Sequence, residues 1–349
     1  MFRIFKLSEI DVKNYSQLCE NDPNCPVFYK ISFLNSFHDI FNKLVIAIIY
    51  DDKEYKCAIP AIIKGRVFEG LTYHGFDSLD IVVNNKYSPD LMKRNLIDGI
   101  LEIYDVIKLS NFISLDSAIS LLYSKKISSY KTPIIQLPHD FNHYLQSLSK
   151  SFRKKIRWEI NYAEKKDILI NFINTQDSKE NAKQNLYRFF QLHKERILDQ
   201  GQQSSLLIKE NKLFHERLID TYDGEILFTE AWYQGNCIGV LYGFINHGKY
   251  LFFNSGIVTN IPKIGIGTLL IAHTIKHLIS KEIFIFDFLR GREKYKYHWT
   301  KYEQENYSYY ISNNNYKALI CWIKYLIDQR KRFGFRLLLG RFVRRNILK

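Results

Sequence analysis

Two stretches of the chain carry one pattern of apolar and polar positions. Residues 44–63, LVIAIIYDDKEYKCAIPAII, read as two β-rich runs around a polar turn at Asp51-Asp52-Lys53. Residues 227–245, LFTEAWYQGNCIGVLYGFI, have the same form around Gln234-Gly235-Asn236. The two align without gaps at an offset of 183 residues, which superposes Gly65 on Gly248. Each hairpin precedes more strand-like sequence, then a helix-like segment (89–107 and 266–280), then a short apolar strand (110–115 and 282–288). This order predicts two copies of one α/β unit, with mixed sheets flanked by helices. Between them, the polar, glycine-poor region 140–222 predicts helices. Its first part, SFRKKIRWEINYAEKK (151–166), sets Phe152, Ile156 and Ile160 at helical spacing. The linker candidate is KISSYKTP at 126–133. The expected organisation is a first unit over 1–135, a second over 136–312 and a tail over 313–349.

Composition adds little to this: 349 residues, 46% hydrophobic and 25% charged, fit a globular chain of about two domains. The five cysteines are scattered, with no CxxC pair, so a reduced cytoplasm is expected. The opening MFRIFKLSEIDVKNY lacks the apolar run of a signal peptide, and LVIAIIY at 44–50 is too short to span a membrane. The ten histidines show no metal-ligand spacing, and no metal is expected.

Charge is more informative. Lys and Arg exceed Asp and Glu by 14, and residues 316–349 hold ten basic groups against one acid. Leu319, Trp322, Ile323, Leu326 and Ile327 form an apolar stripe there, followed by RKRFGFRLLLGRFVRRNILK. A basic amphipathic segment of this kind suits peripheral contact with an anionic membrane face. The alternative is a helix packed on the second unit with a solvated basic face. Nucleic acid is not favoured, since no reading module accompanies the charge.

The copies differ between strand and helix. Copy two has NIPKIGIGTLL (260–270), where Gly265 and Gly267 let backbone N–H groups approach an anion and Thr268 opens a helix. Copy one has NNKYSPDLMKRNL (84–96), with no glycine. Strand, GxG turn, helix and strand resemble the acyl-CoA-binding core of GNAT-type N-acyltransferases. With SFRKKIRWEINYAEKKDILI ahead of copy two and DFLRGREKYKYHW closing it, the chain is similar to the CelD-like acyltransferases, relatives of the Fem peptidoglycan aminoacyltransferases. The likeness is strongest over 145–300. It extends more loosely over 30–120, where YHGFDSLDIVV (73–83) matches a segment with a recurrent Asp.

That resemblance implies an amine attacking the thioester carbonyl of acyl-CoA. The donor pyrophosphate would sit on Gly265, Ile266, Gly267 and Thr268, and its pantetheine arm along 252–258. Amides near Ile257 and Val258 would stabilise the oxyanion, an effect of ~3–4 kcal/mol per well-placed donor. Two departures stand out. Pro262 occupies the place where many such loops begin with Gln or Arg, and no segment has room for the helical arm common in the tRNA-dependent Fem enzymes.

Single residues carry the remaining expectations. Asp287 alternates with Phe286 and Phe288 in IFDF, so it faces the other side of its strand, as a base, as a substrate-orienting group, or as a carboxylate shaping the turn with Arg290 or Arg292. Lys296 matches a family lysine that would neutralise phosphate or oxyanion; a surface lysine is the bland alternative. His193 is a catalytic candidate with Arg196 beside it, against a satisfied structural histidine. Arg153 and Arg157 lie on one helix face, as a substrate clamp or a solvated basic surface. Asp80, Arg290 and Tyr295 are candidates for the acceptor site, and Glu230 is a reserve base. The expected function is acyl-CoA-dependent N-acyl transfer to an amine, small or lipid-linked, such as an amino sugar for a surface glycan. The alternatives are a Fem-like enzyme using charged tRNA and a non-catalytic polysaccharide-assembly factor.

Overall fold

The computed structural model describes residues 1–41, 44–73, 76–120, 122–258, 264–291, 293–314, 316–317, 319–320 and 323. Copy one begins with β1 (Phe2–Lys6), α1 (Val12–Asn21) and α2 (Ile31–Phe41). The predicted hairpin follows as β2 (Val45–Tyr50) and β3 (Tyr55–Lys64), then β4 (Val67–Gly70) and a two-residue β5 (Val82–Val83). Next come α3 (Pro89–Ile103), β6 (Val106–Phe112) and the long β7 (Tyr123–Gln136). Helices α4 (Phe141–Ser147) and α5 (Lys150–Lys165) connect the copies. Copy two repeats the plan: β8 (Leu169–Asn174), α6 (Lys179–Asp199), α7 (Lys209–Thr221), β9 (Glu225–Tyr233), β10 (Asn236–Asn246), β11 (Lys249–Ile257), α8 (Ile266–Ser280), β12 (Ile285–Asp287) and β13 (Glu303–Ser312).

Repeat and hairpins are as expected. Gly65 and Gly248, equivalent in the alignment, both turn with positive φ (60° and 70°), a conformation glycine adopts at little cost. Two expectations are corrected. The linker candidate 126–133 lies inside β7, hydrogen-bonded along its length to β13. The region 140–222 is not wholly helical, because LINFIN pairs as β8 with β9 at the sheet edge. Its alternation is the period-2 signal of a half-covered strand.

The sheet is continuous, in the order β1-β2-β3-β4-β6-β13-β7-β12-β11-β10-β9-β8. In each copy the strand after the helix runs parallel to its predecessor, β4 with β6 and β11 with β12. The closing strands are exchanged: β7 of copy one pairs with β12, and β13 of copy two pairs with β6. Residues 1–135 and 136–312 are therefore woven together at the centre of one sheet.

An aromatic core joins the copies on the other side of that weave. Phe28 stacks on Phe76 at 4.2 Å, and Phe33 meets Phe214 of α7 edge-on at 5.4 Å. Such rings bury large areas without polar cost. A second core packs α4, α5 and α8 on the opposite face of copy two. Among the described residues no helix is long and apolar enough to cross a membrane. Of the tail expectation, Trp322 and residues 324–349 lie outside the described residues.

Candidate functional site

β11 pairs with β12 only from Lys249 to Leu251. Beyond that, β11 runs on to Ile257 while β12 ends at Asp287, so the two strands part. A register shift against β10 leaves Phe253 without an opposite residue, a bulge that bends the strand at this point. The Val258 amide donates to Ile238 O at 3.0 Å, so antiparallel alternation turns the Ile257 amide to the open side. Of the two amides expected to serve an oxyanion, Val258 is thus already committed to the sheet and Ile257 is left.

The opening leads into a cavity of about 490 Å³. Ile257, Val258, Gly265, Ile266, Gly267 and Thr268 all line it, so the expected donor residues are brought together. Among the described residues no side chain caps the α8 N-terminus, and its first intrahelical bond is Leu269 N–H to Gly265 O. The amides of Ile266, Gly267 and Thr268 are therefore the unpaired first-turn donors that favour an anion. A Cβ on Gly267 would meet nothing nearer than Ile257 Cδ1 at 3.6 Å, so the space over this glycine is left by the protein itself. Pro262 lies outside the described residues.

Three side chains extend the cavity beyond the expected set. Lys155 of α5, Ser255 of β11 and His298 line it together with Arg196 and Tyr295. Burial lowers the Arg196 guanidinium's affinity for its proton, and the tyrosine opposes this. His193 stands behind, 3% exposed, with Nε2 2.9 Å from Ser204 Oγ and Nδ1 3.4 Å from Ser255 O. Burial and Arg196 hold its pKa down to about 4, so it is neutral and locks α6 to β11. Gly256 allows this approach, since a Cβ there would press on His193 N at 2.8 Å.

Across the sheet, Asp287 faces a cavity of about 170 Å³ between the copies, as the alternation in IFDF predicts. Asp77, Asp80, Asn246, Lys249 and Gln304 share that lining. Burial, then the Asp77 carboxylate, pushes Asp287 up to about 7, against its bond from Leu289 N–H (2.7 Å) and the fields of Lys296 and Lys249. That bond supports Leu289 at φ 53°, so the carboxylate shapes the turn as well as lining the cavity. Asp77, which the sequence reading passed over, accepts the Arg290 N–H at 2.8 Å and faces its guanidinium at 3.6 Å. Arg290 also reaches Tyr73 O at 3.3 Å, tying copy two's turn to copy one. Asp80 is paired with Lys93 at 2.6 Å.

Other candidates are placed elsewhere. Lys296 is 4% exposed and spends its ammonium on Arg290 O (2.7 Å), Leu289 O (3.4 Å) and Glu293 (3.1 Å). It braces the turn behind Asp287. Arg153 reaches Gln146 O, and Arg157 is exposed; neither lines the donor-side cavity. Glu230 is held by Arg188 at 3.0 Å and by Trp232 Nε1, away from both cavities. Among the described residues, no group of three or more His, Cys, Asp or Glu could hold a metal ion.

Residues 150–297 match the family model described as the acetyltransferase (GNAT) domain, the segment containing the splayed strands and α8. The fold is that of tandem GNAT-like units. Among solved structures, FemX is similar at TM-score 0.65 and 11% identity, covering 91% of this chain and 99% of that one. The C-terminal domain of a protein assigned as a lysylphosphatidylglycerol synthetase from Agrobacterium fabrum gives 0.60 at 8% identity, covering 92% and 97%. A conserved protein of unknown function from Bacteroides thetaiotaomicron gives 0.60 at 14%, covering 89% and 100%. No curated protein matches in sequence.

Proposed function

We propose that the chain is an N-acyltransferase that takes its acyl group from acyl-CoA and passes it to a primary amine. The observation that carries this reading is the splay of β11 from β12, opening onto the uncapped N-terminus of α8. A free strand edge offers amide and carbonyl groups to an extended amide-bearing arm, and the helix end offers N–H groups to a pyrophosphate. The donor supplies an activated carbonyl. The Ile257 amide is aimed at the side where its oxygen would gather charge. From the other face, the amine would enter past Asp77 and Asp287. Ionised, Asp287 holds the cationic acceptor by its charge. It sits opposite Leu251, six residues before Ile257 along β11. The ammonium proton therefore leaves to solvent before the nitrogen lone pair attacks, the C–N bond forming as the C–S bond breaks and CoA departs as the thiolate. With the Asp287 carboxyl raised to about 7, its charge is present above neutrality. The acidic lining also favours a cationic acceptor. An amino sugar, nucleotide- or lipid-linked as in the CelD-like reading, is the acceptor class we favour, acting near the inner membrane face through the basic tail.

A second reading, aminoacyl transfer from charged tRNA to a cell-wall precursor, has in its favour the fold-level likeness to FemX and the net charge of +14. Thermal-shift titration with acetyl-CoA, longer acyl-CoAs and CoA separates the two. A ligand that binds only the native state stabilises it by ~2.7 kcal/mol at a hundredfold excess over its Kd. A saturable shift supports the acyl-CoA donor. No shift with any CoA species, together with salt-sensitive binding of charged tRNA, would replace it with the second reading.

A further inference from the structure

Beneath the turn that opens α8 lies a buried carboxylate. Glu159, on the inward side of α5, is 2% exposed and accepts the Gly265 N–H. A Cβ on Gly265 would come within 2.8 Å of Glu159 Oε1, although φ at this residue is −90°, which any amino acid adopts. Glycine here leaves room for the close approach of the carboxylate, while the backbone would accept any residue. Among the described residues, Glu159 Oε2 is buried without a hydrogen-bond partner. The next amides along the helix, those of Ile266, Gly267 and Thr268, are the ones the donor-side cavity offers to an anion. A negative group is thus built in beside a site that attracts negative charge.

We propose that Glu159 makes anion binding at the α8 N-terminus proton-linked: when a phosphate docks on the amides of Ile266, Gly267 and Thr268, Glu159 Oε2 takes up one proton from solvent. Two like charges sharing one helix end repel each other, and protonating the buried oxygen removes one of them. Burial already raises this carboxyl to about 7, with Lys155 and the Gly265 amide opposing, so little further push is required. Lys155, half exposed and 3.7 Å from Oε1, is the charged group that faces it from its own helix. From α8, burial and then Lys276 lower the His273 pKa against the field of Glu164, and His277 stacks on Phe172. From α4, His143 lines a separate cavity. The sign follows: donor affinity is highest at acid pH and falls as pH rises through the Glu159 range, opposite to the requirement that Asp287 be ionised. Like the donor site itself, this coupling rests on reading the cavity as an acyl-CoA site.

The test is calorimetry on the full chain with dephospho-CoA, which lacks the titrating 3′-phosphate, near pH 7 in two buffers of different ionisation enthalpy. Net proton uptake and a Kd that weakens by up to about tenfold from pH 6 to pH 8 are expected. Glu159→Gln still offers an acceptor to Gly265 and should bind with no proton uptake and a flat pH profile. A merely structural role would leave the uptake unchanged. Dephospho-CoA binding without uptake by the wild-type chain overturns the coupling and leaves the donor reading intact. Sulfate, which does not titrate in this range, is the second probe, against chloride at matched ionic strength. Sulfate binding at acid pH and not at alkaline pH, with no binding of dephospho-CoA, would sustain the coupling and remove the donor reading. Binding of neither overturns both.

Discussion

Copy one and copy two follow the same path through space and end with opposite properties at the same place. In copy two, β11 outruns its pairing with β12 by the stretch Phe252 to Ile257, and a cavity opens beside it. In copy one, β4 has four residues and stays beside β6 through Glu69. Where the strands would part, Leu109 and Phe112 fill the space, so tightly that a Cβ on Gly70 would lie 2.8 Å from Leu109 Cδ2. The helix ends differ likewise. α3 starts with Pro89 and carries Asp90 in its first turn, a charge that suits the helix dipole and repels an anion. α8 has no acid in its first turn and an open space over Gly267. A shared topology is thus a scaffold, and strand length and one helical turn decide whether it holds a site.

The largest expected effect comes from placing copy one's charge into copy two. Gly267→Asp should weaken CoA binding by about a hundredfold or more, since it fills the open space with a like charge, whereas Asp90→Ala should change it less than about twofold. Equal losses from both, measured by calorimetry, would mean that the copies are not specialised as described.

Next come the aspartates of the cleft. Asp287→Asn should raise the acceptor KM by about tenfold with the fold retained, and the wild-type KM should fall as pH rises through about 7, a dependence that the variant lacks. The same shift predicts the stability. A carboxyl raised from its ordinary value of about 4 favours the folded state while protonated, and that contribution is lost as pH rises towards 7. Asp287→Asn should therefore raise Tm relative to wild type near pH 8 and not near pH 4. Asp80→Asn should act on the fold instead. It strands Lys93 in the interior at a cost of roughly 3 kcal/mol, lowering Tm.

Smaller again is the tie between copies. Arg290→Ala should cost about 1–2 kcal/mol and raise the acceptor KM, because Asp77 keeps the backbone N–H but loses the guanidinium facing it, and Tyr73 O loses its tie. The smallest effect is expected on α5. Arg157→Ala, an exposed change, should stay within about 0.5 kcal/mol and leave turnover unaltered.

Much of this was legible along the chain. The gapless 183-residue offset revealed the repeat, because hairpins write their turns and alternation locally. GIGT marked the helix end, and IFDF put Asp287 on the face away from its phenylalanines. The roles of Lys296 and Arg153 were not legible. Whether a lysine meets a ligand or three protein oxygens depends on a turn that closes around it, and spacing carries no record of that. Lys155 and Arg153 share a helix, and only packing against α8 selects which one faces the cavity. Asp77 was within reach, three residues before Asp80, but its partner Arg290 is far away in sequence.

By itself, the sequence determined the periodicities: two α/β units, helices between them, a glycine turn in one copy and a basic end. These depend on neighbours a few residues apart, whose torsions and alternation are set by local sterics. Tertiary structure alone decided the exchange of β7 and β13, the closing of copy one by Leu109, the parting of β11 from β12, and the burial of Glu159 under Gly265. Each of those brings together groups distant in the chain, and their charge states follow from the desolvation that only such contacts impose.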